Sequence, residues 1–358
     1  MTESPTRRGK TPPASDRPVD ELPGGLRRSD PSEPGITRVR RGRGFQYFDP
    51  AGEPLGEGET LRRVKALVIP PAWTDVWICP DADGHIQALG TDAAGRRQYR
   101  YHDAWREAQD RAKHEHVLDM AERLPAVRER LAEHLAERGL TRQRVLAAAV
   151  RLLDLGFFRV GGEEYAEENG SFGLATLRQE HVRCVRGRVH FEYPAKSGKT
   201  RTHDISDPEV CKVVRALRAR GEGELLRYRQ GTAWHDVRSH DINDYLRELF
   251  GIEVTAKDFR TWHATVLAAV GLAVSRPVTT EAARKRAVAR VMSEVAAYLG
   301  NTPAVTRASY VDPRIIALYE RGRTIAPILT DLGADVDPGH LATQGPAEQA
   351  VLRLLRSA

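Results

Sequence analysis

Cysteine is scarce in this chain: three residues in 358, too few and too scattered to hold a fold together covalently. Cys79, Cys184 and Cys211 form no CxxC pair and have no clustered histidines beside them. That argues against a tetrahedral zinc site and for a reduced, intracellular protein. No run of about 18 apolar residues is present to span a bilayer. The polar, proline-rich start lacks the apolar segment of a secretory signal, so a cytoplasmic protein with no membrane partner is expected. There is no GxxxxGK[ST] loop to cradle a nucleotide's phosphates, no acidic cluster of metal-binding pattern and no internal repeat. No cofactor and no metal are therefore expected.

What is present is a mild excess of positive charge. Lys and Arg number 55 against 49 Asp and Glu, a net charge of +6. This suits a polyanionic partner such as nucleic acid, although many basic proteins bind none and local clustering must decide. With 41% hydrophobic residues, a chain of this length has enough apolar side chains for two cores. Seven of the 21 prolines fall between Pro5 and Pro34, among Arg, Ser, Asp and Gly, so residues 1–35 are expected to be a disordered, basic tail.

From Thr37 to His102, short β-like runs (Phe45–Phe48, Trp77–Cys79, His85–Leu89) alternate with turn clusters at 49–52 and 81–84, the pattern of a small, mostly β module. After His102 helical periodicity takes over. Leu118, Met120 and Leu124, then Val145, Leu146, Ala149, Leu152 and Leu153, recur along one stripe. One interruption, Val182 to Ile205, has extended runs around Arg186-Gly187 and Ser197-Gly198 and predicts a three-stranded antiparallel insert. Asp207-Pro208, Thr302-Pro303 and Asp312-Pro313 each place a capping residue before a first-turn proline, while Gly251, Gly300 and Gly322 are expected stops. The stretch from Ala334 to Gly345 reads as loose, and Pro346–Ala358 as a short amphipathic helix.

Four segments then stand in order: Phe157-Phe158-Arg159-Val160-Gly161, Tyr193-Pro194-Ala195-Lys196-Ser197-Gly198-Lys199, Lys257-Asp258-Phe259-Arg260-Thr261-Trp262, and Gly300-Asn301-Thr302-Pro303 leading to Ser309-Tyr310. A fifth, Gly95-Arg96-Arg97-Gln98-Tyr99-Arg100-Tyr101, lies in the β module. This ordered set resembles the type IB DNA topoisomerases of poxviruses and bacteria over roughly residues 37–325.

The resemblance implies an α+β fold: a small, mostly β amino-terminal domain plus a mainly helical catalytic domain carrying the β insert. Its expected divisions are 1–35 (tail), 36–103 (amino-terminal DNA-clamp domain), 104–330 (catalytic domain) and 331–358 (carboxy-terminal tail). It implies Tyr310 as the nucleophile that forms a 3′-phosphotyrosyl bond. Arg159 and Arg260 would stabilise charge building on the phosphoryl oxygens. Lys196, with Lys199 as its rival, would protonate the departing 5′ oxygen. Asn301 stands where many relatives have His, nine positions before the tyrosine. It can donate a hydrogen bond but cannot become a cation. Arg97, Gln98, Tyr99, Tyr101 and Lys199 would contact DNA. The expected partner is double-stranded DNA, clamped by a monomer in the nucleoid.

Each residue also has a plainer reading. Tyr310 could be a packing group, Arg159 could pair with Glu163 or Glu164, Arg260 could cap its helix, and Asn301 could be a turn residue after Gly300. Lys196 and Lys199 could be solvated turn lysines, and Arg96–Tyr101 a charged edge strand. His240, Trp262 and His263 are read as packing or local hydrogen-bonding groups. A tyrosine recombinase would share the Arg/Lys/Arg/Tyr chemistry, and an inactive DNA-binding relative would share the fold.

Overall fold

The computed structural model describes residues 22–195, 198–219, 222–275, 280–331 and 343–358, apart from the side chains of residues 164, 165, 330 and 331. The chain divides into two compact units, residues 1–115 and 116–358.

In the first unit β1 (Ile36–Arg41), β2 (Gly44–Phe48), β3 (Thr74–Ile78), β4 (Ile86–Thr91) and β5 (Arg97–Tyr101) form one antiparallel sheet in the spatial order β2-β1-β3-β4-β5. Strand alternation sends Val76 and Ile78 to the same face. There, with Ala88, Ile36 and Ile69, they cover Val64 of α1 (Glu59–Ala66). β5 is an edge strand whose Tyr99 and Tyr101 stack with ring centroids 5.9 Å apart.

The expected tail is corrected over part of its length. Residues 22–35 include a segment laid against the β3–β4 connection: Arg27 N–H donates to the Asp83 carbonyl, His85 N–H to the Arg27 carbonyl and Ser29 N–H to His85 Nδ1, each at 2.9 Å. The Trp77 indole N–H donates to the Glu33 carbonyl, also at 2.9 Å. Proline-rich composition predicts poor local order but is silent on backbone groups that find partners 50 residues away. The remainder of the tail, residues 1–21, lies outside the described residues.

The second unit is helical around one interruption. α2 (Asp103–Ala136) starts where the periodicity changes, and the division between the units falls inside it. α3 (Arg142–Gly156) is capped by Thr141, whose hydroxyl accepts from Arg144 N–H at 3.1 Å. Every residue from Val145 to Gly156 is buried, so α3 is the central helix rather than a one-faced amphipathic one. Each of its leucines contributes roughly 1.5–3 kcal/mol by burial. α4 (Glu163–Asn169) follows.

The insert is β6 (Val182–Val185), β7 (Arg188–Ala195) and β8 (Lys199–Ile205), three antiparallel strands in that order. Arg186 and Gly187 join the first two with φ of 48° and 80°, as a two-residue hairpin turn with both residues left-handed requires. α5 (Pro208–Arg218) is capped by Asp207. A second hairpin, β9 (Arg227–Gln230) and β10 (Ala233–Asp236), was not expected from the sequence. α6 (Ser239–Phe250), α7 (Ala256–Ala273), α8 (Glu281–Leu299), α9 (Pro303–Ser309) and α10 (Pro313–Glu320) complete the helices up to residue 320. Gly251 and Gly300 end α6 and α8 in the left-handed conformation, and Thr302 and Asp312 cap α9 and α10.

The expected carboxy-terminal tail also requires correction. α11 (Pro346–Arg356) buries Ala347, Ala350, Val351 and Leu355 in the core of the second unit. Its Glu348 accepts from Arg128 at 2.6 and 3.0 Å and from the Trp262 indole N–H at 2.9 Å. Arg128 also grips Asp154 at 2.8 and 2.9 Å, and Arg151 bridges Asp154 and Asp207 at 3.1 and 3.0 Å. Burial pushes the Asp154 carboxyl up, but Arg128, His263 and Arg151 together bring it well below the usual carboxylate range. A helix that buries four apolar residues in the core and holds a counter-ion of the largely covered Arg128 is part of that core, not an appendage. Residues 332–342, most of the stretch read as loose, lie outside the described residues.

Candidate active site

The site is assembled at the carboxy-terminal ends of α3, α8 and α9. Phe157 terminates α3 with φ of 56°, and Phe158 buries its ring edge-on against Phe191, centroids 5.0 Å apart. The next residues run alongside 173–175: Leu174 N–H donates to the Arg159 carbonyl at 2.8 Å and Ala175 N–H to the Val160 carbonyl at 2.7 Å. Two glycines allow that approach. A Cβ on Gly173 would sit 2.4 Å from the Gly161 Cα, and Gly161 itself has φ of +83°. Arg159 is thereby held on a pinned backbone.

Its guanidinium donates to the Gly300 carbonyl at 3.1 Å and to Asn301 Oδ1. Arg159 is thus turned away from the plainer pairing with Glu163, which accepts the Ser239 N–H at 2.9 Å. Because a guanidinium only donates, this bond assigns the amide oxygen of Asn301 to Arg159 and leaves its nitrogen as donor. That nitrogen is buried and has no hydrogen-bond partner among the described residues.

Arg260, on the second turn of α7, is only 4% exposed. It donates to the Phe157 carbonyl and, at 2.8 Å, to the Leu299 carbonyl, so it ties the end of α3 to the end of α8 rather than capping its own helix. Burial pushes this guanidinium down to about 10, which leaves it a cation at neutral pH. Its Cζ lies 5.4 Å from the centre of the Tyr310 ring. Tyr310 closes α9, its N–H donating to the Thr306 carbonyl at 3.0 Å, and the Thr265 hydroxyl of α7 donates to the Tyr310 carbonyl at 3.4 Å. Burial raises the affinity of the Tyr310 hydroxyl for its proton. The charge and hydrogen bond of Arg260, with Lys257 and Arg159 adding, outweigh this and bring it below the ordinary tyrosine value.

These groups border a cavity of about 280 Å³. Arg159, Arg260, Asn301 and Lys199 line it, and so does Arg201, which the sequence reading missed. Among the described residues, no carboxylate lines it. Tyr310 is not a lining residue either; it adjoins the cavity through Arg260. The signal for Arg201 was available: Lys199, Arg201 and His203 alternate along β8 and share a face. Burial, with Arg201 and Arg260 adding, holds His203 down to about 4, so it is neutral. Lys196 lies outside the described residues. Arg97, Gln98, Tyr99 and Tyr101 lie on β5 of the first unit, where Gln98 donates to Asp92 at 2.9 Å. His263 and Trp262 are core groups as expected, at 4% and 1% exposure. Among the described residues, no group of three or more His, Cys, Asp or Glu is placed to hold a metal ion, and no helix is long and apolar enough to cross a membrane.

A tyrosine against a buried arginine, beside a cavity lined by cations and an amide donor, has the kinds of group that transfer of a phosphodiester calls for. Residues 102–320 match the profile of the eukaryotic DNA topoisomerase I catalytic core, and residues 44–92 that of the bacterial DNA topoisomerase IB N-terminal domain. The chain belongs to the type IB DNA topoisomerase family. The enzyme is 29% identical over 294 residues to DNA topoisomerase 1B of Acanthamoeba polyphaga mimivirus, an alignment covering 80% of this chain and 88% of the relative. It is 20% identical over 282 residues to DNA topoisomerase 1B of Vaccinia virus (strain Copenhagen), covering 76% and 85%. To DNA topoisomerase 1 of Schizosaccharomyces pombe it is 30% identical over 130 residues, 35% of this chain and 15% of that much longer protein. Membership makes it an isomerase acting on DNA.

Proposed function

We propose that this topoisomerase relaxes supercoiled duplex DNA by transient cleavage of one strand through a 3′-phosphotyrosyl intermediate, strand rotation and religation, without ATP or a required metal. The observation that carries the reading is the cavity lined by Arg159, Arg260 and Lys199, with no carboxylate among its described lining residues, bordered by a tyrosine whose proton affinity Arg260 lowers. Such a wall suits a phosphate, because fixed guanidinium donors stabilise charge on its oxygens without reorganising.

In the forward step the Tyr310 oxygen gives up its proton to solvent water and forms a bond to phosphorus, while the bond from phosphorus to the 5′ oxygen breaks. That oxygen leaves with a proton from Lys196, and the 5′ hydroxyl is freed. Arg159 and Arg260 hold the non-bridging oxygens, and the Asn301 amide donates to one of them. Religation is the reverse attack. It needs no external energy, since the ester to tyrosine conserves that of the broken bond. The first unit contacts the duplex through Arg97, Gln98, Tyr99 and Tyr101, with Lys199 contributing from the second, and a cytoplasmic monomer clamps the DNA in the nucleoid.

The test is relaxation of supercoiled plasmid at low enzyme concentration, with chelator present and ATP absent. Relaxation under those conditions is expected. Strand exchange between paired sites would favour a recombinase, and binding without any relaxation would favour an inactive relative.

A further inference from the structure

Three guanidinium groups converge on one helix end. The last carbonyls of α8 lack the partners that the helix interior supplies, apart from a long 3.3 Å bond from Gly300 N–H to that of Ala297, and they carry the negative end of the helix dipole. Arg201 donates to the Ala297 carbonyl at 3.0 Å and to the Tyr298 carbonyl, Arg260 to that of Leu299, and Arg159 to that of Gly300. The final turn is closed by Asn301 N–H, which donates to the Ala296 carbonyl at 3.0 Å. Four successive carbonyls are thus held by three arginines, one from β8, one from α7 and one from the connection after α3, and the turn they hold bears Asn301.

Arg201 differs from the other two. Arg260 touches Tyr310 and Arg159 touches Asn301, whereas the side-chain hydrogen bonds of Arg201 both go to α8. It lies directly on the Gly300 turn: a Cβ on Gly300 would meet its Nη1 at 2.9 Å and its Cζ at 3.1 Å. Its backbone is paired in β8 opposite Tyr193 of β7, so the anchor is a strand and not a mobile loop.

We infer that Arg201 is a positioning residue of the cleavage reaction, fixing the last turn of α8 so that the Asn301 amide and the Arg159 guanidinium meet the same phosphate. The fork of its two donors is what the role needs, since it spans adjacent carbonyls and a lysine ammonium on a flexible stem does not. This deepens the proposed function and rests on it, because a donor can be misplaced only if a phosphate is there to be met.

The test is covalent attachment of full-length enzyme to supercoiled plasmid in a single turnover at enzyme excess, trapped by detergent. DNA affinity and thermal stability are measured alongside. Arg201→Ala is expected to slow attachment on the order of 10- to 100-fold, as misplacement of catalytic groups by up to about 1 Å does. DNA affinity should stay within about threefold, because positioning acts on the rate and not on binding. Combined with Asn301→Ala, it should slow attachment by less than the product of the two single losses, because both variants disturb the one turn that presents Asn301 and holds Arg159. Arg201→Lys, which keeps the charge but has a single donor nitrogen in place of the fork, should be intermediate; this variant carries the test if the alanine variant does not fold.

Attachment by Arg201→Ala at the wild-type rate would overturn the inference. So would multiplicative losses with Asn301→Ala, a loss of affinity that matches the loss of rate, or wild-type rate in Arg201→Lys. Failure of the underlying reading is separate: wild-type enzyme would then form no attachment that Tyr310→Phe abolishes.

Discussion

Replacing Glu348 by alanine probes whether α11 belongs to the catalytic unit. The carboxylate accepts from Arg128 twice, from the Trp262 indole and from Gly345 N–H at 3.0 Å. In Glu348→Ala the indole N–H, on a residue 1% exposed, is left without its acceptor, which costs about 1–3 kcal/mol. Arg128 loses one of two counter-ions but keeps both bonds to Asp154, so the total should fall at the low end for a broken buried pair, about 3 kcal/mol. For a unit of this size that corresponds to a fall in Tm of roughly 6–12 °C. Glu348→Gln keeps an acceptor for the indole and should lose about half as much. Calorimetry on the full chain is the assay. A fall of less than about 1 °C in the alanine variant would refute the placement of α11 as core. The same network sets a pH limit. The Asp154 carboxyl sits lower in the folded than in the unfolded chain, so its stabilisation is present at neutral pH and is lost as the pH falls below the ordinary carboxylate range.

Three further outcomes are expected. Arg260→Ala should cut the attachment rate by about 10²–10³ at neutral pH. Because the guanidinium lowers the proton affinity of Tyr310, the pH profile should also move upward; an unmoved profile would separate Arg260 from the nucleophile. Lys196→Ala should be rescued by a 5′-bridging phosphorothiolate, whose thiolate leaves unprotonated, and rescue of Lys199→Ala instead would move the acid role to Lys199. On β5, Arg97→Ala should lower the slope of log affinity against log salt by about one. Tyr99→Ala should weaken binding without changing that slope, and filter binding across a salt series distinguishes them.

Much of this architecture is local, and local order is what periodicity and capping residues encode. Helix ends at Gly251 and Gly300, caps at Asp207, Thr302 and Asp312, and the Arg186-Gly187 hairpin were all readable because a few adjacent residues decide them. The β9–β10 hairpin was not, since only Gly231 marks its turn and the four exposed residues of β10 carry no apolar alternation. Contacts distant in sequence were invisible for a different reason. Nothing near Arg27 announces Asp83, and nothing near Glu348 announces Arg128.

At the site, Arg159, Arg260, Asn301 and Tyr310 were named through the resemblance, and the structure brings these four together. It adds the reason Asn301 is presented with its nitrogen free, which is a bond to Arg159 from 142 residues away. Arg201 was overlooked because an arginine on a strand beside two lysine candidates looks like a solvated charge until α8 is seen beneath it.

The most direct measurement is the chemistry of the trapped intermediate. Denaturing a reaction of wild-type enzyme with end-labelled duplex should leave protein on a 3′ phosphate, with mass spectrometry placing the nucleotide on Tyr310. Tyr310→Phe should give no attachment while binding DNA with unchanged affinity. Attachment to a 5′ end, attachment at another residue, or plasmid relaxation by Tyr310→Phe at the wild-type rate would contradict the account.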